Sequence, residues 1–252
     1  MQLAAAAQRV AEAVPYRHCM VIIKDGQIMH ELYAPGNSSE SKFETDSVGK
    51  TMTAALMGTA VSQGKLDLDR PLHEYGVTAR PGANWSVGGK IDYFPQATAR
   101  HLLSQSSGYG RVAPGTFFSY DSYDYIEHLS DTLTKTTGEP AVEWATREFA
   151  EKLGVPDLFL YDDVPDGGIS SGGGQLMTCR DLARVGTLLV NGGRWNDEAG
   201  KEYPLLSEDY VRQQLSPSYP DINAGYVSPS PSSLLLPSAL SPAPLTWLSR
   251  GS

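Results

Sequence analysis

Between Ser47 and about Gln63 the sequence SVGKTMTAALMGTAVSQ places apolar residues at every fourth position: Val48, Met52, Leu56 and Ala60. That spacing keeps one face of a helix buried, and Gly64 ends it. That buried face has to pack against other elements. The flanking sequence offers them. CMVIIKDGQIMHELY reads as two strands, Cys19 to Ile23 and Gln27 to Tyr33, joined by a tight turn at Lys24-Asp25-Gly26. Helices are expected in the N-terminal MQLAAAAQRVAEAVPYRH, in TARHLLSQSSGYG, from Tyr123 to about Thr136 with Gly138 as its stop, over Ala141 to Leu153, and in TCRDLARVGTLLVNGG with Asp181 near its start. The stretch from Gly82 to Gly89 reads as irregular surface, and GGISSGGG at 167–174 as a flexible crossing loop.

The fold class implied is α+β with helices around a hairpin. The 252 residues, 40% of them hydrophobic, suffice for one large or two small domains. We take 1–226 as one domain, with its helical part at approximately 65–165. Residues 227–252 are different: eight serines, five prolines, six leucines and a single charge, Arg250. Such a composition has neither strand alternation nor helical period, and it is expected to lack a fixed fold.

Composition also excludes partners. Net charge is −9, the pI is near 5.0, and no stretch concentrates lysine and arginine, so no nucleic-acid partner is expected. The N-terminus lacks the basic start and continuous apolar stretch of a secretory signal. No apolar run reaches the roughly 18 residues that span a bilayer, so a soluble chain is expected. The sequence assigns neither a compartment nor an oligomeric state. Cys19 and Cys179 have no metal-site or redox-motif spacing and read as two free thiols. No metal or organic cofactor is expected, since no His/Asp/Glu cluster has ligand spacing and the glycine-rich loop lacks a P-loop lysine.

Ser47 and Lys50 are three residues apart at the start of the long helix, hence on one face. A serine hydroxyl needs a base to take its proton as it attacks. A lysine can be that base only while it is uncharged, a state that burial favours. The first helical turn adds free N–H groups and the positive dipole end, which stabilise developing negative charge. By itself the pair also fits an N-capping serine and a solvated lysine.

Further segments narrow the choice. The run from Phe43 to Val77, FETDSVGKTMTAALMGTAVSQGKLDLDRPLHEYGV, resembles the active-site helix of the serine beta-lactamase and penicillin-binding-protein superfamily, in its class C-like branch of esterases and peptidases. Its end, GKLDLDRP at 64–71, is similar to that family's Gly-Lys-Leu-x-Leu-Asp-x-Pro. ARHLLSQSSGY resembles Arg-x-Leu-Leu-x-x-x-Ser-Gly, PGTFFSYDS resembles Pro-Gly-x-x-Phe-x-Tyr-Ser-Asn, and 167–174 with RDLARVGTLLVNGGRW is similar to the family's loop and following helix. Order and spacing agree across roughly residues 19 to 215.

The resemblance implies a beta-lactamase-like fold, a helical subdomain plus an antiparallel sheet flanked by helices. It also implies a serine hydrolase forming an acyl-enzyme on a small-molecule acyl substrate, an ester, beta-lactam or peptide amide. Ser47 would be the nucleophile, with Lys50 and Tyr120 as its proton-handling partners. Asp121 and Ser122 stand where Ser-Asn is usual, as candidate substrate-binding residues. Serine donates one hydrogen bond but cannot copy an amide's donor–acceptor pair, which tilts the expectation toward esters.

The family's third motif, Lys-Thr-Gly or His-x-Gly on a strand after residue 215, has no counterpart. INAGY at 222–226 resembles the strand start, and the proline-serine segment follows; all five histidines lie at or before His128. Lys135-Thr136-Thr137-Gly138 falls where the family has a helix end. In the family that strand supplies one oxyanion N–H, and losing such a donor costs about 2.7–4 kcal/mol of transition-state stabilisation. The C-terminal sheet strands are therefore expected to be missing. The chain is expected to be less stable than a longer relative and weakly active or inactive, the alternative being a non-catalytic binding descendant.

Overall fold

At Asp25 and Gly26 both φ angles are positive, 52° and 73°, the two-residue turn whose twist matches paired strands. It joins β1, Cys19–Lys24, to β2, Gln27–Tyr33, antiparallel with Cys19 opposite Tyr33. The computed structural model describes residues 2–14, 17–120, 123–159, 164–197 and 199–222, with the backbone alone at 2, 123, 124 and 165. Asp121, Ser122 and the whole of 227–252 lie outside the described residues.

The first helix, α1 (Gln2–Ala13), buries Ala7 and Ala11 and lies against β2. Short strands follow: β3 (Phe43–Glu44), then β4 (Ser86–Val87) and β5 (Ile91–Asp92), which pair with each other. The stretch taken as irregular surface thus holds a small hairpin, anchored by the buried Trp85 beside Phe94 and Tyr125.

The central helix is α2, Gly49–Ser62. Eleven of its residues are buried, from Gly49 and Lys50 through Met52 to Ala60. One-sided burial was expected, yet the helix is enclosed all round and Val48, just before it, is 51% exposed. Small residues make this fit. A Cβ on Gly58 would come within 2.2 Å of the Tyr210 ring of α9 (Glu208–Gln214). The other helices are α3 (Ala99–Leu103), α4 (Tyr123–Ile126), α5 (His128–Thr137) and α6 (Ala141–Ala145). The wider turn Thr146–Ala150 runs α6 into α7 (Glu151–Leu153), so that 141–153 is continuous. Gly138, with φ 80°, caps α5, so the Lys-Thr-Thr-Gly stretch is a helix end.

Strand β6 (Leu176–Met177) pairs with β3, and α8 (Cys179–Val190) follows, its Thr178 and Asp181 forming a capping box. The last pair is β7 (Arg194–Asn196) with β8 (Glu202–Pro204). Helix α8 lies on β1, and Arg180 grips Glu31 of β2 through two 2.7 Å hydrogen bonds. That packing corrects the reading of two free thiols. Cys19 and Cys179, 160 residues apart, form a disulfide across a Cα separation of 6.4 Å, within the usual range for the bond. Sequence spacing could not show it, because only the docking of α8 on β1 brings the two together.

His101 in α3 gives the fold a pH dependence. Thr98 donates its backbone N–H to the ring Nδ1 at 3.2 Å, and Tyr219 stacks on the ring at 5.7 Å. Burial pushes the imidazolium down to about 4, with Arg100 adding to the effect and Asp69 opposing it. The unfolded chain titrates near 6.5, so below that pH it binds a proton the fold refuses. The stability is whole above about pH 6.5 and falls by about 2–3 kcal/mol as the pH drops toward 4. Urea titrations at pH 7 and pH 4.5 on wild type and His101→Gln measure this directly. The variant is expected to lose less between the two.

Candidate active site

The site is built on a strand-to-helix turn. β3 ends at Glu44, Thr45 donates its N–H to the Gln175 carbonyl at 2.9 Å, and Asp46–Val48 form one 3-10 turn that feeds α2. Asp46 has φ 45°, a left-handed conformation that costs a non-glycine residue about 1–3 kcal/mol where the surroundings hold it. They do so here: Gly174 donates its N–H to the Asp46 carbonyl at 3.1 Å. A Cβ on Gly173 would meet the same oxygen at 1.9 Å. Ser47 therefore sits at a fixed bend, half-buried, with its hydroxyl at the mouth of the helix.

One turn along, Lys50 is buried. Its Nζ donates to Ser47 Oγ at 3.2 Å and to the Gly172 carbonyl at 2.6 Å. Tyr120 reaches the pair from another part of the chain. Its hydroxyl donates to Ser47 Oγ, and its ring centroid is 5.2 Å from Lys50 Nζ. The segment carrying it is hung on the turn after α3: Gly115 donates its N–H to the Ser106 carbonyl at 2.8 Å and Ser119 to that of Gln105 at 3.0 Å. Gln105 itself has φ 55°. The structure thus unites Ser47, Lys50 and Tyr120, while Asp121 and Ser122 lie outside the described residues.

Chemically this is an alcohol oxygen that accepts hydrogen bonds from an amine and a phenol. Either partner, once deprotonated, lies within reach to accept the alcohol proton along the same contact with the donor and acceptor roles reversed, which is the geometric requirement of base-assisted attack. Access is one-sided, with the lysine covered and the tyrosine 46% exposed. No group of three or more His, Cys, Asp or Glu side chains that would hold a metal ion occurs among the described residues. No described helix is long and apolar enough to cross a membrane.

Sequence reasoning missed the residues behind the lysine. The loop read as flexible is buried from Ile169 to Gly173. Thr53 donates its hydroxyl to the Ser171 carbonyl at 3.0 Å, Gln175 donates its side-chain amide to the Ser170 carbonyl at 2.7 Å, and the Glu127 carboxylate receives two of the loop's N–H groups. Glycine composition signals conformational freedom, and polar anchors supplied from distant segments leave no local trace.

Close packing at Gly49 makes a sharp prediction. A Cβ there would lie 1.9 Å from Gln175 Oε1 and 2.5 Å from the Gly173 Cα, which is backbone and has little room to yield. Gly49→Ala is expected to cost about 1–3 kcal/mol by overpacking and to displace the carbonyl that holds Lys50. Gly186→Ala on α8, where nothing lies within 4 Å, is the contrasting variant and should gain up to about 1 kcal/mol of helix propensity. Thermal melts of the two variants separate the effects.

Comparison with known proteins places the chain in a family. The family model described as Beta-lactamase matches residues 7–221. The 6-aminohexanoate-dimer hydrolase of Paenarthrobacter ureafaciens is 23% identical over 206 residues, covering 69% of this chain and 52% of that protein. A beta-lactamase of Pseudomonas fluorescens is 25% identical over 169 residues, 58% of this chain and 46% of its own length. The chain thus spans about half the length of the curated relatives it matches. Among solved structures, a D-stereospecific amidohydrolase from Streptomyces sp. superposes with a TM-score of 0.60 at 18% identity, covering 86% of this chain and 79% of that one.

Proposed function

The chain belongs to the beta-lactamase family, and from that premise we propose that it is a serine hydrolase acting through an acyl-enzyme on a small ester or amide. Ser47 Oγ attacks the acyl carbonyl carbon. The hydroxyl proton passes to the Lys50–Tyr120 pair, whichever member is in its basic form, and from there to the departing alcohol or amine. Water then adds to the acyl-serine ester, gives its proton to the same pair and releases the acid, restoring the serine. The oxyanion that forms at each attack lies beside the start of α2, where backbone N–H groups and the helix dipole favour negative charge.

One observation carries this reading: Ser47 Oγ accepts hydrogen bonds from both Lys50 and Tyr120. A solvated helix-surface lysine would not be buried against a loop carbonyl. Support for hydrolysis of amides or esters comes from the relatives, which include a 6-aminohexanoate-dimer hydrolase and a beta-lactamase. The serine at 122 favours esters within that range.

Stopped-flow mixing with p-nitrophenyl acetate tests the proposal. An acyl-enzyme releases a burst of nitrophenol approaching one equivalent per chain before the slower steady state. A nitrocefin assay run alongside should be the slower of the two. Hydrolysis of neither compound would support the non-catalytic reading instead.

A further inference from the structure

Glu127, between α4 and α5, is only 6% exposed. Its carboxylate accepts the Ser171 N–H at 3.0 and 3.1 Å through its two oxygens, and the Gly172 N–H at 3.1 Å. Burying a carboxylate is costly unless donors surround it, and charged acceptors make bonds roughly twice as strong as neutral ones. What these bonds fix is specific. Gly172 donates its N–H to Glu127 and lends its carbonyl to Lys50 Nζ at 2.6 Å. Both groups flank one Cα, and a glycine there leaves φ and ψ free, so it is the anchors on its own N–H and on the preceding carbonyl that hold its carbonyl at Lys50. Thr53 ties the preceding carbonyl to α2 at 3.0 Å, leaving the loop clamped between the nucleophile helix and Glu127.

We propose that Glu127 is a positioning residue for acyl transfer: through Gly172 it aims the carbonyl that holds Lys50 against Ser47. The role rests on the reading of Ser47 as nucleophile, and it is absent from the motifs visible in the sequence. Misplacing a reacting group by about 1 Å can cost 10²-fold in rate, so a loop released from its anchor should be felt at the serine.

The test uses the full chain as wild type, Glu127→Ala, Glu127→Gln and Leu153→Ala, the last removing a fully buried side chain of α7. Two signals are read at a temperature where all four are folded. One is the rate at which a fluorophosphonate modifies Ser47. Glu127→Ala is expected to react about 100-fold more slowly. Glu127→Gln, which keeps an acceptor but loses the charge, should be about tenfold slower, and Leu153→Ala unchanged. The other is the side-chain ¹⁵N resonance of Lys50, whose protons should be protected from solvent exchange in wild type and exposed in Glu127→Ala.

Wild-type rates, or a protected Lys50 signal in Glu127→Ala, overturn the proposal. Loss of rate in Leu153→Ala equal to that in Glu127→Ala also overturns it, since stability alone would then explain both. Should Glu127→Ala not fold, wild-type values in Glu127→Gln are the overturning result. A wild type that never takes the probe defeats the reading of Ser47 instead, and the lysine signal still judges Glu127 independently.

Discussion

Tyr120→Phe is expected to slow p-nitrophenyl acetate turnover by about 10²–10⁴, the usual worth of a positioned acid–base group, while leaving the fold intact. Tyr120 is 46% exposed and, through its hydroxyl, bonds to Ser47, so deleting one oxygen removes the group proposed to carry the proton and little packing. Lys50→Met should fall as far or further. It loses both the bond to Ser47 and the one to Gly172, yet keeps much of the stem volume that the helix encloses. The double variant should be scarcely worse than the worse single one, because groups that act as a unit are strongly non-additive. If Tyr120→Phe turns over at the wild-type rate, the phenol is packing and nothing more. Steady-state kinetics with a melt on each variant decides it.

Removing the disulfide carries the second large effect. Its 160-residue separation closes a long loop in the unfolded chain, and native disulfides of this kind contribute roughly 2–5 kcal/mol. Cys19→Ser with Cys179→Ser should therefore melt about 4–20 °C lower, since a domain of this size shifts by about 2–4 °C per kcal/mol. The ion pair of Arg180 with Glu31 remains in the variant, so α8 should stay on β1 at low temperature. A thiol titration of the denatured, unreduced wild type is the companion measurement. Finding two free thiols there would remove the bond from the account.

How much of this was legible from residues follows from where the information sits. The hairpin could be read because Asp25-Gly26 is a local code for two positive φ angles. The Ser47–Lys50 pairing could be read because helical spacing fixes which side chains meet. Tyr120 was placed by its flanking resemblance, and the structure brings it to Ser47 through contacts with Gln105 and Ser106 that no local pattern encodes. The buried loop at 169–173 was misread because its order comes from Glu127, Thr53 and Gln175, far apart in sequence. For the same reason the helix after Ser47 looked one-sided: α9 covers the other flank only once the chain has folded back. The disulfide, too, is a property of topology.

The central claim is that the alcohol at position 47 is reactive because an amine and a phenol are bonded to its oxygen. Peptide-resolved mass spectrometry after exposure to a fluorophosphonate reads that reactivity at a single atom. The account predicts a stoichiometric phosphonyl adduct on Ser47, absent from Ser47→Ala and much slower to form in Tyr120→Phe. An unmodified Ser47 in folded wild type, or an adduct that persists on another residue in Ser47→Ala, would contradict it.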